Sequence, residues 1–317
     1  MKENAARDVI AGKDENRNPL PSQPRAAFRP VSDLDRASRR TEIATEEGFA
    51  VWREWGSGPA LVLLHGGSGS WMHFFRQIEF FSADYRVIVP DMPGFGDSSE
   101  GSSGTDPEAM ARILAAGIDQ LAGQGPIYLA GFSYGGIIGG YLAKLIAPQV
   151  TGFVLIGAVG HEAPMQSVSL SRWRHLSDVA SRHAMHRNNL EAIMIAEPGR
   201  IDATAILIQE SNAERSRHDT RPVARSKPLT EVLDASCVPL AAIWGERDHL
   251  AAPHFDERRA WLAERDPQAP FRLITDAGHW VQYEAPDAFN DVLADCLRSF
   301  ADRTPKPELF QGEQHDR

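Results

Sequence analysis

The chain has 317 residues, with 33 Lys and Arg against 43 Asp and Glu, a formal net charge of −10, and 42% hydrophobic residues. That apolar share is ordinary for a folded protein and excludes a wholly disordered or collagen-like chain. The acidic balance argues against nucleic acid as a partner, because phosphate binding relies on a basic surface.

Residues 1–40 hold Pro19, Pro21, Pro24 and Pro30 among mixed charges with little apolar periodicity, and read as a flexible N-terminal arm. The opening Met1-Lys2-Glu3-Asn4 shows no apolar secretory signal, so the expected compartment is cytoplasmic. Residues 41–45 and 49–55 alternate polar and apolar across a Glu-Glu-Gly turn and predict an antiparallel hairpin. Six short, nearly all-apolar runs follow at 60–64, 85–89, 127–130, 152–156, 239–244 and 271–274, the composition of strands covered on both faces. Apolar residues at helical spacing separate several of them: Met110, Ile113, Leu114, Ile118 and Leu121 in 107–122, then comparable sets in 135–146 and 286–300. Strands alternating with helices predict an α/β fold, a mostly parallel eight-stranded sheet flanked by helices.

Two segments depart from that alternation. Between Asp119 and Lys144 lie 24 residues without a formal charge, long enough to suggest a membrane span. Pro126 and the Gly-Phe-Ser-Tyr-Gly break divide the stretch into a strand and a helix, so no membrane is expected. Residues 161–236 are polar, helical in pattern and rich in Arg and His, too long for a structureless loop. They predict a helical lid inserted into a core made of 41–160 and 237–303, with 304–317 as a C-terminal tail. The lid would lie over the C-terminal edge of the sheet, where ligands bind in such folds.

The chemistry concentrates at that edge. Gly131-Phe132-Ser133-Tyr134-Gly135 matches G-x-S-x-G with a strand before it and a helix after it. A sharp turn there holds the Ser133 hydroxyl outward as a nucleophile, and the helix N-terminus faces the charge that develops on attack. A serine needs a base, and the base an orienting carboxylate. His279 follows one late strand and Asp248 another, with Glu246 as the spare carboxylate. The order Ser, Asp, His is that of the α/β-hydrolase triad. His65-Gly66-Gly67-Ser68-Gly69 follows a buried strand and supplies a glycine-rich loop. The backbone N–H groups of Gly67 and Tyr134 are the expected oxyanion donors, and Gly66 and Ser68 the loop's contribution to a substrate pocket. A dinucleotide loop is disfavoured, since no third glycine precedes a helix.

Taken together, His65-Gly-Gly67, Asp91-Met-Pro-Gly-Phe-Gly-Asp-Ser98, Gly131-Phe-Ser-Tyr-Gly-Gly136, Trp244-Gly-Glu-Arg-Asp248 and Gly278-His279-Trp280 resemble the α/β-hydrolase superfamily over about residues 40–302. The stretch His279 to Asn290 and the double-glycine loop resemble the meta-cleavage-product hydrolases, which split a C–C bond in vinylogous 1,5-diketones. That resemblance implies Trp280 beside the catalytic histidine in the substrate pocket, no cofactor and no metal. Tyr134 stands where that family usually has Met, and Arg215 and Arg217 are candidates for its substrate-carboxylate arginine. The expected function is a serine hydrolase of a small ester or C–C substrate, aromatic-derived or acidic. A cofactor-free haloperoxidase or perhydrolase and a hydrolase-derived small-molecule receptor are the alternatives; a homo-oligomer is left open.

Other features have plainer readings. His175, His183 and His186 read as a solvated face of the lid, His65 as a residue that fixes its own loop, and Asp91 and Asp97 as turn residues. Cys237 and Cys296, too few for a disulfide scaffold, read as small buried thiols.

Overall fold

The computed structural model of the chain describes residues 30–101, 106–226 and 228–303. Its strands are β1 (Arg39–Thr45), β2 (Gly48–Trp55), β3 (Ala60–Leu64), β4 (Arg86–Asp91), β5 (Ile127–Phe132), β6 (Val150–Ile156), β7 (Leu240–Gly245) and β8 (Phe271–Ile274). All eight join one sheet in the order β1-β2-β4-β3-β5-β6-β7-β8. Only β2 runs against its neighbours β1 and β4; every other pairing is parallel. This is the mostly parallel eight-stranded α/β sheet that the pattern of runs predicts.

The all-apolar strands follow from burial on both faces, because successive side chains in a strand point to opposite sides. In β3, Val62 and Leu64 enter one core and Leu61 and Leu63 the other; in β7, Leu240, Ala242 and Trp244 are divided from Ala241 and Ile243 in the same way. Helices α3 (Pro107–Ala122) and α4 (Tyr134–Leu145) cover the first face through Met110, Leu114, Ile118, Ile137, Ile138 and Leu142. The second face is covered by α2 (Phe75–Phe81) and by α11 (Pro286–Arg303), which follows the short α10 (Val281–Glu284), through Phe75, Ile78, Phe81, Phe289, Leu293 and Leu297. Helix α3 starts where expected: Asp106 accepts a hydrogen bond from the Glu108 N–H at 2.9 Å, and Pro107 occupies the first turn. The uncharged stretch is β5 and α4, both inside these layers. Among the described residues no helix is long and apolar enough to cross a membrane.

Three expectations change. Residues 30–40 are not arm: α1 (Val31–Arg36) buries Leu34, whose carbonyl accepts from the Trp55 indole at 2.8 Å, and β1 begins at Arg39. Residues 1–29 and 304–317 lie outside the described residues. The insertion between β6 and β7 carries α5 (Val179–Asn189), α6 (Ala203–Glu214), α7 (Arg221–Arg225) and α8 (Pro228–Asp234). Of these, α8 packs on α4 with Leu229, Val232 and Leu233 buried, so the segment read as lid ends in a helix of the core. Cys237 is exposed and only Cys296, in α11, is buried.

Asp91 and Asp97 do more than shape a turn. Arg53 on β2 is buried, and its guanidinium donates to Asp91 at 2.9 Å, to Asp35 at 2.6 Å and to Asp97. The other Asp91 oxygen accepts from the Trp71 N–H at 2.8 Å, and the first also takes the Asp97 N–H at 3.0 Å. One buried carboxylate thus ties β2, β4 and the loop after β3. Removing a partner from a buried ion pair strands a charge in a dry interior, at a cost of about 3–5 kcal/mol. Asp91→Ala is therefore expected to lose about 3 kcal/mol or more in urea unfolding; a loss under about 1 kcal/mol would show that the cluster is not holding these elements together.

Candidate active site

Ser133 joins β5 to α4 with φ at +52°, the left-handed region that side chains seldom adopt. The flanking glycines make the turn feasible by close approach. A Cβ on Gly131 would lie 2.3 Å from the Gly135 carbonyl oxygen, and one on Gly135 would lie 2.3 Å from that of Leu64. The Ser133 N–H donates to the Ile156 carbonyl at 2.8 Å, pinning the turn to the end of β6. The sharp turn therefore places the serine at the C-terminal edge of the sheet.

Two further strand ends deliver the partners. Asp248, in the loop after β7, is fully buried and accepts from the Leu250 N–H at 2.8 Å. Its other oxygen lies 2.8 Å from His279 Nδ1, and His279 Nε2 lies 3.0 Å from Ser133 Oγ. His279 follows β8 and is almost wholly buried. The structure therefore brings Ser133, His279 and Asp248 into one hydrogen-bonded line. Nδ1 of His279 meets Asp248 and not Glu246, whose N–H is held by Ile274. Because a carboxylate only accepts, Nδ1 carries the proton and Nε2 is left as acceptor toward the serine.

A cavity of about 540 Å³ opens over Ser133 and His279, and Gly67, Ser68 and Tyr134 share its lining. Gly66 and Trp280 do not line it. A Cβ on Gly66 would face the Phe132 ring at 3.0 Å, so this residue looks into the core. Trp280 is fully buried, stacked on Tyr283 with ring centroids 4.2 Å apart, and its indole donates to the His73 carbonyl at 3.0 Å. The tryptophan is packing beneath the site. Residues from the insertion form the far wall, among them Val168, Trp173, Asn189 and Ala224, with Arg174, Arg217, Arg221 and Arg225. Arg217 donates to the Ser98 carbonyl; Arg215 is outside the lining and pairs with Asp97 at 2.6 Å.

The neighbouring histidines divide by their bonds. His65 Nε2 accepts from the Met92 N–H at 3.0 Å, so its Nδ1 donates to the Gly66 carbonyl at 2.8 Å. Burial pushes its pKa down, and with both nitrogens engaged it holds the loop, as expected. His183 pairs with Glu210 at 3.0 Å, while His186 is buried against Trp173. Among the described residues no group of three or more His, Cys, Asp or Glu could hold a metal ion. Burial pushes the Cys296 thiol up to about 12, which keeps it protonated and unreactive.

Two residues escaped the motif reading. Glu284 takes the N–H groups of Gly278 at 2.7 Å, Ala196 at 2.9 Å and Glu197 at 2.8 Å, so one buried carboxylate holds the His279 loop against the insertion. His73, on the turn Trp71–Phe74, is buried and reaches the cavity lining. Glu284 lies in the stretch His279 to Asn290 that carries the resemblance, which gives it no role of its own, and His73 belongs to no motif.

A family model described as alpha/beta hydrolase fold matches residues 59–286. The chain is 30% identical over 288 residues to a 2-hydroxy-6-oxononadienedioate/2-hydroxy-6-oxononatrienedioate hydrolase of Burkholderia vietnamiensis, covering 84% of this chain and 98% of that one. It is 25% identical to a 2-hydroxy-6-oxo-6-phenylhexa-2,4-dienoate hydrolase of Burkholderia cepacia, with 80% and 93% covered. A thermophilic esterase structure from Thermogutta terrifontis aligns with a TM-score of 0.64 at 23% identity, covering 83% of this chain and all but 1% of the esterase.

The close approach at Gly135 gives a test of the turn. In Gly135→Ala the methyl group would meet the Leu64 and His65 carbonyl oxygens at 2.3 and 2.5 Å. We expect a loss of about 1–3 kcal/mol in unfolding free energy, as for overpacked cores; wild-type stability would contradict the close approach.

Proposed function

We propose that this hydrolase, a chain that belongs to the alpha/beta-hydrolase family, attacks a substrate carbonyl through Ser133. The observation that carries the proposal is the unbroken line from Ser133 Oγ through His279, both lining the cavity, to the buried Asp248. His279 takes the serine proton as Oγ adds to the carbonyl carbon, and Asp248 holds the ring and stabilises its charged form. The N–H groups of Gly67 and Tyr134 bind the oxyanion, Tyr134 being the first residue of α4 and Gly67 lying across the cavity lining. His279 then protonates the leaving group and activates the water that frees the acid product.

The substrate is a small ester or a vinylogous diketone cleaved at a C–C bond. The second is favoured by the 30% identity to a dienedioate hydrolase across 84% of the chain. In a C–C substrate the leaving group is a carbanion, so the dienol must first ketonise to give a conjugated carbonyl that takes up the electron pair of the breaking bond as an enolate. Four arginines in the cavity wall suit an acidic substrate in an otherwise acidic protein. The insertion serves as a lid: it forms one wall of the cavity and keeps the reacting groups dry. Cys237 and Cys296 are both unpaired, which fits a reducing compartment such as the cytoplasm.

A parallel assay of short aryl esters and dienol diketones, with Ser133→Ala as blank, tests the reading. The wild type should turn over at least one class, and Ser133→Ala should fall by about 10³-fold or more. Equal turnover by the variant would remove Ser133 from the chemistry.

A further inference from the structure

His73 is a buried ring that the mechanism above does not use. It sits on the turn Trp71–Phe74, edge-on to Phe132 and Trp280 with centroids 5.3 Å away in each case. Its carbonyl is held by the Trp280 indole at 3.0 Å, and its own N–H donates to the Ser70 carbonyl at 3.0 Å. The ring is therefore fixed from several sides.

The bonds of the ring determine where its proton lies. The Gly66 N–H donates to His73 Nδ1 at 3.2 Å. A backbone N–H cannot accept, so Nδ1 is unprotonated and the neutral ring carries its proton on Nε2. His65, whose Nε2 accepts from Met92, is locked in the opposite tautomer. Nε2 of His73 has no hydrogen-bonding partner among the described residues and is not sealed away from the cavity that His73 lines with Ser133, Gly67 and His279.

We propose that His73 is a hydrogen-bond donor to the substrate, its Nε2–H fixed by the Gly66 amide and presented to an oxygen that gains negative charge beside Ser133. The donor stays neutral, because burial, with His65 and His279 close by, holds its pKa well below the ordinary histidine range. A neutral donor polarises a carbonyl or steadies an enolate without competing with His279 for the serine proton. It also acts through the loop: the Gly66 amide that sets its tautomer belongs to the residue before the oxyanion donor Gly67. The inference rests on the reading of Ser133 as nucleophile.

Two substitutions separate the ring's two bonds. His73→Asn keeps an acceptor near the Nδ1 position for the Gly66 N–H but has nothing at the Nε2 position. His73→Gln carries an amide N–H near the Nε2 position and lacks the inner acceptor. We expect His73→Asn to lower kcat on a short aryl ester by about 10²- to 10³-fold, the scale of one oxyanion donor, with KM little changed. Affinity for an aryl boronic acid, whose adduct on Ser133 carries the same oxygen, should fall by a similar factor. His73→Gln should retain more of kcat and more of the boronate affinity. Wild-type kcat and boronate affinity in His73→Asn, with Ser133→Ala inactive, would overturn the donor role alone; an active Ser133→Ala would overturn the nucleophile reading beneath it. Nitrogen-15 NMR of the histidine-labelled wild type gives a readout independent of folding in the variants. A proton on Nε2 of His73 supports the assignment, and a proton on Nδ1 overturns it.

Discussion

The arrangement depends on one backbone constraint: a serine held at positive φ where a buried strand turns directly into a helix. Such a conformation costs about 1–3 kcal/mol at a residue with a side chain and survives only where the surroundings over-determine it. Here they do. Gly131 and Gly135 let the two arms of the turn close on each other and on the end of β3, and the Ser133 N–H is taken by β6. The ends of three adjacent strands therefore meet at one atom, and the loops leaving β7 and β8 need only short reaches to bring Asp248 and His279 to it. The glycines of α4 serve the same end, since a helix that carries the serine must lie close against the sheet and against α8.

Two carboxylates buried around the turn are satisfied by fixed partners. Asp91 neutralises Arg53 and orders the loop after β3; Glu284 takes three backbone N–H groups and binds the His279 loop to the insertion. Both carboxylates accept from donors that cannot move away, and the loops they hold line the cavity. The insertion is tied to the core by further contacts, including Arg215 to Asp97, Ser70 to Asn212 and Arg217 to Ser98. The wall over the cavity is therefore anchored at the loops that line it.

Much of this was legible in the sequence. Strands buried on both faces read as apolar runs, and all eight lie in the sheet near the expected limits. The serine turn, the late aspartate and the late histidine each follow a strand, so chain order and fold class together bring them to one edge. What was not legible is of another kind. Helix α2 is only seven residues long, too short for its apolar Phe75, Ile78 and Phe81 to stand out as a repeat, and α9 (Phe255–Arg265) buries only Arg258 and Leu262, so neither shows an extended helical pattern to read. Glu284 also takes the N–H groups of Ala196 and Glu197, more than eighty residues away, contacts that no local spacing encodes. The resemblance implies Trp280 in the pocket beside His279, but adjacent residues leave a turn in different directions, and the indole turns into the core.

The central claim is that Ser133 is the nucleophile and His279 its base. Its most direct measurement is covalent labelling with an aryl fluorophosphonate, followed by peptide mass spectrometry and by labelling rates in His279→Ala. The account predicts a single adduct on Ser133, formed about 10³-fold or more slowly without the histidine. An adduct on another residue, or a rate indifferent to His279, would contradict it.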